Sequence, residues 1–159
     1  MIRAGRLPGT WLFDDFSPDG VHVAVSLFSG RVWILDTRTG RAVDIPRPID
    51  QKEIYRMGWS SDGSQLVSTD AGGILGLVNT TTDTLQSTVT VPGDTMAVGQ
   101  FRPGTRDVTL FNTFGQVFTW DTRSERAIAF GCRIAGRDMT PDEWRTYVGI
   151  APQFQVCPA

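Results

Sequence analysis

Histidine and cysteine are almost absent from these 159 residues, which hold one histidine, His22, and two cysteines, Cys132 and Cys157. A structural zinc site wants four nitrogen or sulfur ligands, so most tetrahedral sites are excluded. The cysteines stand 25 positions apart, which fits neither a C-x-x-C pair nor a finger. A Ser–His–Asp or Cys–His set would have to use His22. That residue lies at a polar phase of an alternating segment, where an exposed or turn-adjacent imidazole is expected. Gly72-Gly73-Ile74-Leu75-Gly76 is glycine-rich but lacks the Lys-Ser/Thr of a phosphate-binding loop and precedes no helix. No enzymatic activity, cofactor or metal is expected.

Lysine is equally scarce. Lys52 is the only one, and 15 basic residues face 17 acidic ones for a net charge of −2. No basic block is present to neutralise phosphates, so neither nucleic acid nor an anionic membrane is an expected partner. No apolar run approaches the roughly 18–20 residues of a membrane span. The first residues, MIRAGRLPGTW, carry basic groups but no apolar core of a signal peptide. The expected compartment is the cytoplasm.

What the chain does have is a repeat. Phe16 ends an apolar run, and Ser17-Pro18-Asp19-Gly20 turns the chain, with Pro18 presetting φ and Gly20 supplying a positive φ. His22 to Leu27 alternates as a strand does, Ser29-Gly30 turns again, and a third run ends at Asp36-Thr37. The aromatic Phe16 recurs as Trp59 and Phe101, and the turn glycine Gly20 as Gly63 and Gly104. Gly30 recurs as Gly73 and Gly115, and Asp36 as Asn79 and Asp121. The aromatics, the second glycines and the Asp/Asn series share offsets of 43 and then 42 residues. A period of about 40–45 residues with four strands per unit is that of a propeller blade.

The units resemble WD repeats. The resemblance is carried by FSPDG at 16–20, its copies WSSDG and FRPGT, and the strand ends ILDT, LVNT and TWDT, the last with the Trp120-Asp121 dipeptide. It covers roughly 11–130. The Gly-His pair that opens a well-formed WD repeat is missing from all three units, so the family's buried His–Asp–Ser/Thr–Trp network is incomplete. The resemblance implies an all-β fold: a partial propeller of about three four-stranded blades with a short helix-containing tail.

Residues 1–10 read as a linker or the remnant of a preceding blade, because Arg3-Ala4-Gly5-Arg6 echoes Thr39-Gly40-Arg41-Ala42. The repeats span 11–49, 50–92 and 93–130. Strands are expected near 11–16, 22–27, 31–36 and 41–45, with Pro46 and Pro48 ending the first repeat. The second repeat predicts strands near 54–59, 65–69, 74–79 and 84–91, and the third near 95–101, 107–112, 116–121 and 126–130. Ala127 to Ile134 reads as strand or helix. Asp14 and Asp15 have no acidic counterparts in the other units. They are either an acidic pair at a central channel or interface, with Arg56 nearby, or charges that protect an innermost strand from edge pairing. Neighbours in a strand point to opposite faces, so the two do not flank one bond.

The tail, 131–159, predicts a helix over about 141–148. Thr140 is its N-cap, Pro141 its first residue and Glu143 the reciprocal partner of a capping box, with Gly149 as its end. Cys132 and Cys157 flank this helix, and either a disulfide that pins the tail or two free thiols is open. The tail is similar to the one that follows the last blade in many bacterial WD-repeat proteins, some of them STAND-type signalling ATPases.

The resemblance implies a non-catalytic protein-interaction scaffold. A sensor segment of a STAND-type ATPase is the alternative, and an enzymatic propeller is a third. Three blades leave two end faces. The tail is expected to cap one, with Trp144 and Tyr147 turned inward. The other, on the first blade, is expected to meet a missing upstream segment or another chain.

Overall fold

A computed structural model describes residues 9–45, 53–91, 96–147 and 152–157. Residues 1–8 of the expected linker or blade remnant at 1–10, together with Pro46, Pro48, Lys52, Val148 and Gly149, lie outside the described residues. The chain divides into two compact units, Met1–Trp120 and Asp121–Ala159.

The first unit is a stack of antiparallel sheets that follow one another along the chain. Blade one is β1 (Trp11–Phe16), β2 (His22–Leu27), β3 (Val32–Asp36) and β4 (Ala42–Ile45), paired in that order. Blade two repeats it as β5 (Ile54–Trp59), β6 (Gln65–Asp70), β7 (Ile74–Asn79) and β8 (Thr84–Thr90). Blade three has β9 (Ala97–Phe101), β10 (Asp107–Asn112) and β11 (Val117–Asp121), and β11 is its outer edge among the described residues.

The turns show why the markers recur. Gly20, Gly63 and Gly104 sit at φ of 68°, 71° and 72°, and Gly30, Gly73 and Gly115 at 77°, 77° and 75°, where a Cβ is strained. Ser17 Oγ accepts from the His22 N–H at 2.9 Å, and Ser60 Oγ accepts from that of Gln65 at 2.9 Å. Hydrogen bonds from the Ser60 and Ser64 hydroxyls hold the Asp62 carboxyl down at about 2. Asp36 Oδ1 accepts from the N–H groups of Arg38 and Thr39, and Asn79 Oδ1 from those of Thr81 and Thr82. Thr37 and Thr80 then donate their hydroxyls back to the first turn, to Val21 O at 2.9 Å and Gly63 O at 2.6 Å. Each of these turn residues therefore either closes a turn or ties two turns together.

Side-chain alternation sends neighbours to opposite sheet faces, and each face meets a different blade. Ala24, Val32, Ile34 and Ile45 of blade one form a core with Ile54, Met57, Trp59, Leu66 and Val78 of blade two. Val67, Leu75, Leu77 and Val91 of blade two form another with Ala97, Phe101, Val108 and Leu110 of blade three. Adjacent residues Leu66 and Val67 thus serve separate cores, and β6 is buried along its whole length. The outer strand β8 is exposed at six of its seven positions.

The fourth strand expected near 126–130 does not form. Residues Ser124–Ala135 are a helix, α1, and the blade unit closes at Trp120 rather than at 130. The segment has the composition of a helix. Three alanines and two arginines lie within it, Glu125 and Arg133 complement the dipole at its two ends, and Gly136 caps it at φ 66°. A second helix, α2, spans Pro141–Tyr147.

Candidate functional site

Register makes positions in the three blades directly comparable. Asp14 lies opposite Val25, Met57 opposite Ser68, and Gly99 opposite Leu110. Two residues on, Phe16 lies opposite Val23, Trp59 opposite Leu66, and Phe101 opposite Val108. In blades two and three this face is turned toward the preceding blade. The Trp59 indole N–H donates to the Asp15 carbonyl at 3.0 Å, and Trp59 and Phe101 keep only 9% and 6% of their surface exposed. At Gly99 the blades approach so closely that a Cβ would stand 2.8 Å from Leu75 Cδ2 and 3.2 Å from Thr69 Cγ2.

Blade one presents the same face with no described blade before it. Phe16 is 58% exposed, Trp11 and Phe28 border it at 60% and 55%, and Asp14 is exposed. The centre of the face is less open than its rim. Val23, Val25 and Leu27 are buried, and Trp33 and Leu35 of the same sheet pack against them. The run-in to β1 passes beside Leu27, with the Phe28 N–H donating to Thr10 O at 3.0 Å. Arg31 lies 5.4 Å over the Trp33 ring and pairs with Asp44. Trp33 Nε1 is buried with no hydrogen-bond partner among the described residues.

The two acids separate as strand geometry requires. Asp14 is on the exposed face. Asp15 lies toward blade two, where burial pushes its carboxyl up against the opposing pull of backbone N–H groups from Trp59 and Phe16 and of the Arg56 charge. Arg56 is itself exposed. A cleft of about 550 Å³ between blades one and two is lined in part by Pro18, His22, Ile34, Arg41, Trp59 and Asp62. No group of three or more His, Cys, Asp or Glu residues is placed to hold a metal ion among the described residues, and no described helix is long and apolar enough to cross a membrane. At the other end of the stack, blade three exposes Phe111 at 51% and Val117 at 59%.

In the tail unit, Thr140 and Glu143 satisfy one another. The Thr140 N–H donates to Glu143 Oε2 at 2.9 Å, and the Glu143 N–H donates to Thr140 Oγ1 at 3.3 Å. Arg137 adds a two-pronged contact to the same carboxylate at 2.7 Å on each oxygen. Cys132 and Cys157 are joined by a disulfide with Cα atoms 5.5 Å apart. Trp144 is 5% exposed and meets the edge of Phe154 at 4.9 Å.

Replacing Thr140 by Ala removes the acceptor for the Glu143 N–H and is expected to cost the tail about 1 kcal/mol. The cap also has a pH signature. Arg137, then the Thr140 N–H, hold Glu143 at about 2, below its ordinary 4.5. A carboxyl depressed on folding stabilises above its unfolded value and loses that contribution as pH falls through the folded one. Helix signal in the tail should therefore drop between pH 4.5 and about 2, and Glu143→Gln should remove that step. A tail signal flat across the window, or a Thr140→Ala chain of unchanged stability, would contradict the cap's role.

One marker series escaped sequence reading. Asp70 Oδ1 accepts from the N–H groups of Gly72 and Ile74, and Asn112 Oδ1 from those of Phe114 and Gln116. Both cap the turn after the second strand, 42 positions apart. Blade one has Leu27 at that place, which hides the series from a search for three matching copies.

No protein-family model matches the sequence, and no curated protein matches it. Solved structures do. The structure of U3-55K superposes with a TM-score of 0.65 at 22% identity, covering 76% of this chain and 38% of that one. The RRP9 WD40 repeats give 0.65 at 21%, covering 76% and 37%. The Cps50 (Swd1) β-propeller domain of Myceliophteria thermophila gives 0.67 at 19%, covering 77% and 39%. The chain thus spans less than two fifths of the length of each. It has the fold of three consecutive WD-repeat β-propeller blades, the third lacking its outer strand among the described residues.

Proposed function

We propose that the chain is a non-catalytic protein-interaction scaffold, a segment of a WD-repeat propeller that works only when further blades complete it. The observation that carries this is the exposure of one repeat marker. Trp59 and Phe101 are 9% and 6% exposed against the blade before them, whereas Phe16 is 58% exposed. Rigid repeat scaffolds bind through their loops and open faces, and the opposite orientations of Asp14 and Asp15 keep these two carboxylates from acting as a pair. The further blades come from an upstream part of the same polypeptide or from another protein. A sensor propeller of a STAND-type ATPase is a narrower form of this reading, supported by the likeness of the tail.

A photo-crosslinking residue placed at Phe16, in the protein expressed in its own cell, tests it. The crosslinked peptide should map to a β-strand of another blade. Crosslinking only to solvent-exposed helices or to no polypeptide would overturn the scaffold reading.

A further inference from the structure

At one register position the open face of blade one carries a charge and the two working joints do not. Asp14 shares its register position with Met57 and Gly99. Met57 is 4% exposed in the core between blades one and two. Gly99 is pressed against Leu75 and Thr69, on the third and second strands of blade two. A blade seated on blade one in the same way would bury the Asp14 carboxylate against its own second and third strands. Asp14 makes no ion pair or hydrogen bond with another described side chain that would neutralise it. A carboxylate buried without a cation or donor is strongly unfavourable.

We propose that this face selects a blade carrying an arginine or lysine on its second or third strand opposite Asp14, and rejects a second copy of this chain. The inference rests on the scaffold reading and narrows its partner. A second copy would have to offer the free face of its blade three. There, one period after Thr69 and Leu75, stand Phe111 and Val117, both exposed. They are apolar and provide no donor, so the copy's best available face would trap the carboxylate against a phenyl ring and a valine. An arginine in the same place would meet it with a charge-assisted and geometrically matched pair. Asp14 therefore acts as the specificity-determining residue of the joint. The apolar contacts around it, from Phe16 to Trp33, supply attraction toward any blade.

Sedimentation equilibrium on four versions of the full chain tests this: the natural sequence, Phe111→Arg, Phe111→Arg combined with Asp14→Asn, and Asp14→Leu. Phe111→Arg places a cation on the copy's free face. It should tighten self-association at least tenfold over the natural chain, and adding Asp14→Asn should abolish that gain. Asp14→Leu should also associate, because it removes the charge that keeps copies apart. Association by Asp14→Leu but not by Phe111→Arg would overturn the cation requirement while leaving the scaffold reading intact. A gain in Phe111→Arg that survives Asp14→Asn, or a natural chain that already associates through Phe16, would also overturn the inference. If no variant associates, the inference falls, while the scaffold reading is decided separately by the crosslink at Phe16.

Discussion

Trp59→Ala should cost about 3–5 kcal/mol, the range for removing a large buried aromatic side chain. Phe16→Ala, the same change at the same repeat position, should cost less than about 1 kcal/mol, as changes at exposed sites do. Trp59 fills the joint between blades one and two, packs with Ile34, Ile45 and Leu66, and donates its indole N–H to Asp15 O. Truncation leaves a cavity that two sheets cannot both close, and leaves that carbonyl without its donor. Phe101→Ala belongs with Trp59, since it is 6% exposed in the second joint. Phe16 has no described blade to leave. Urea unfolding of the three variants, followed by a probe confined to the blades, ranks them. Equal losses at Phe16 and Trp59 would show that the face of blade one is already covered in the isolated chain.

Reduction of Cys132–Cys157 should destabilise the tail by about 3 kcal/mol, with little effect on the blades. The bond joins residues 25 apart, and closing a loop of that size removes roughly this much from the unfolded chain. The tail has little else. α1 contains no buried residue, and Ile128, Phe130 and Ile134 are exposed at 44%, 56% and 70%. A unit running only from Asp121 to Ala159 is in the size range where a core alone rarely suffices. Thermal melts of the helix signal with and without a thiol reductant, and of Cys132→Ser, measure the effect. Identical tail melts would show that the clamp at Arg137, Thr140 and Glu143 suffices alone. A reducing compartment would hold the two residues as thiols, so tail stability should track redox conditions.

The blades were legible in the sequence because each turn depends on a residue that little else can replace. Positive φ requires glycine at Gly30 and Gly73, and the Asp36 and Asn79 side chains accept local N–H groups that a hydrophobic residue cannot satisfy. Such demands are local, so they leave a period. The end of blade three was not legible, because Ala127 to Ile134 suits either a strand or a helix. Ala127 and Ala129 within it, Arg126 just before and Gly136 just beyond tip the balance toward α1. Asp14 stood out as an acid without counterparts, but the repeat does not say which neighbour a face meets. That needed the register with Val25 and the closeness of Gly99 to Leu75. Burial of Trp59 and exposure of Phe16 likewise depend on the blade next door, not on the residues around each aromatic.

Hydroxyl-radical footprinting of the isolated chain is the most direct test that blade one presents an unfilled joint. After correction for intrinsic reactivity, Phe16 should be oxidised several-fold faster than Phe101 and Trp59, in keeping with exposures of 58%, 6% and 9%. A monomeric chain in which Phe16 is protected as fully as those two would mean that the face is closed from within, and that no further blade is called for.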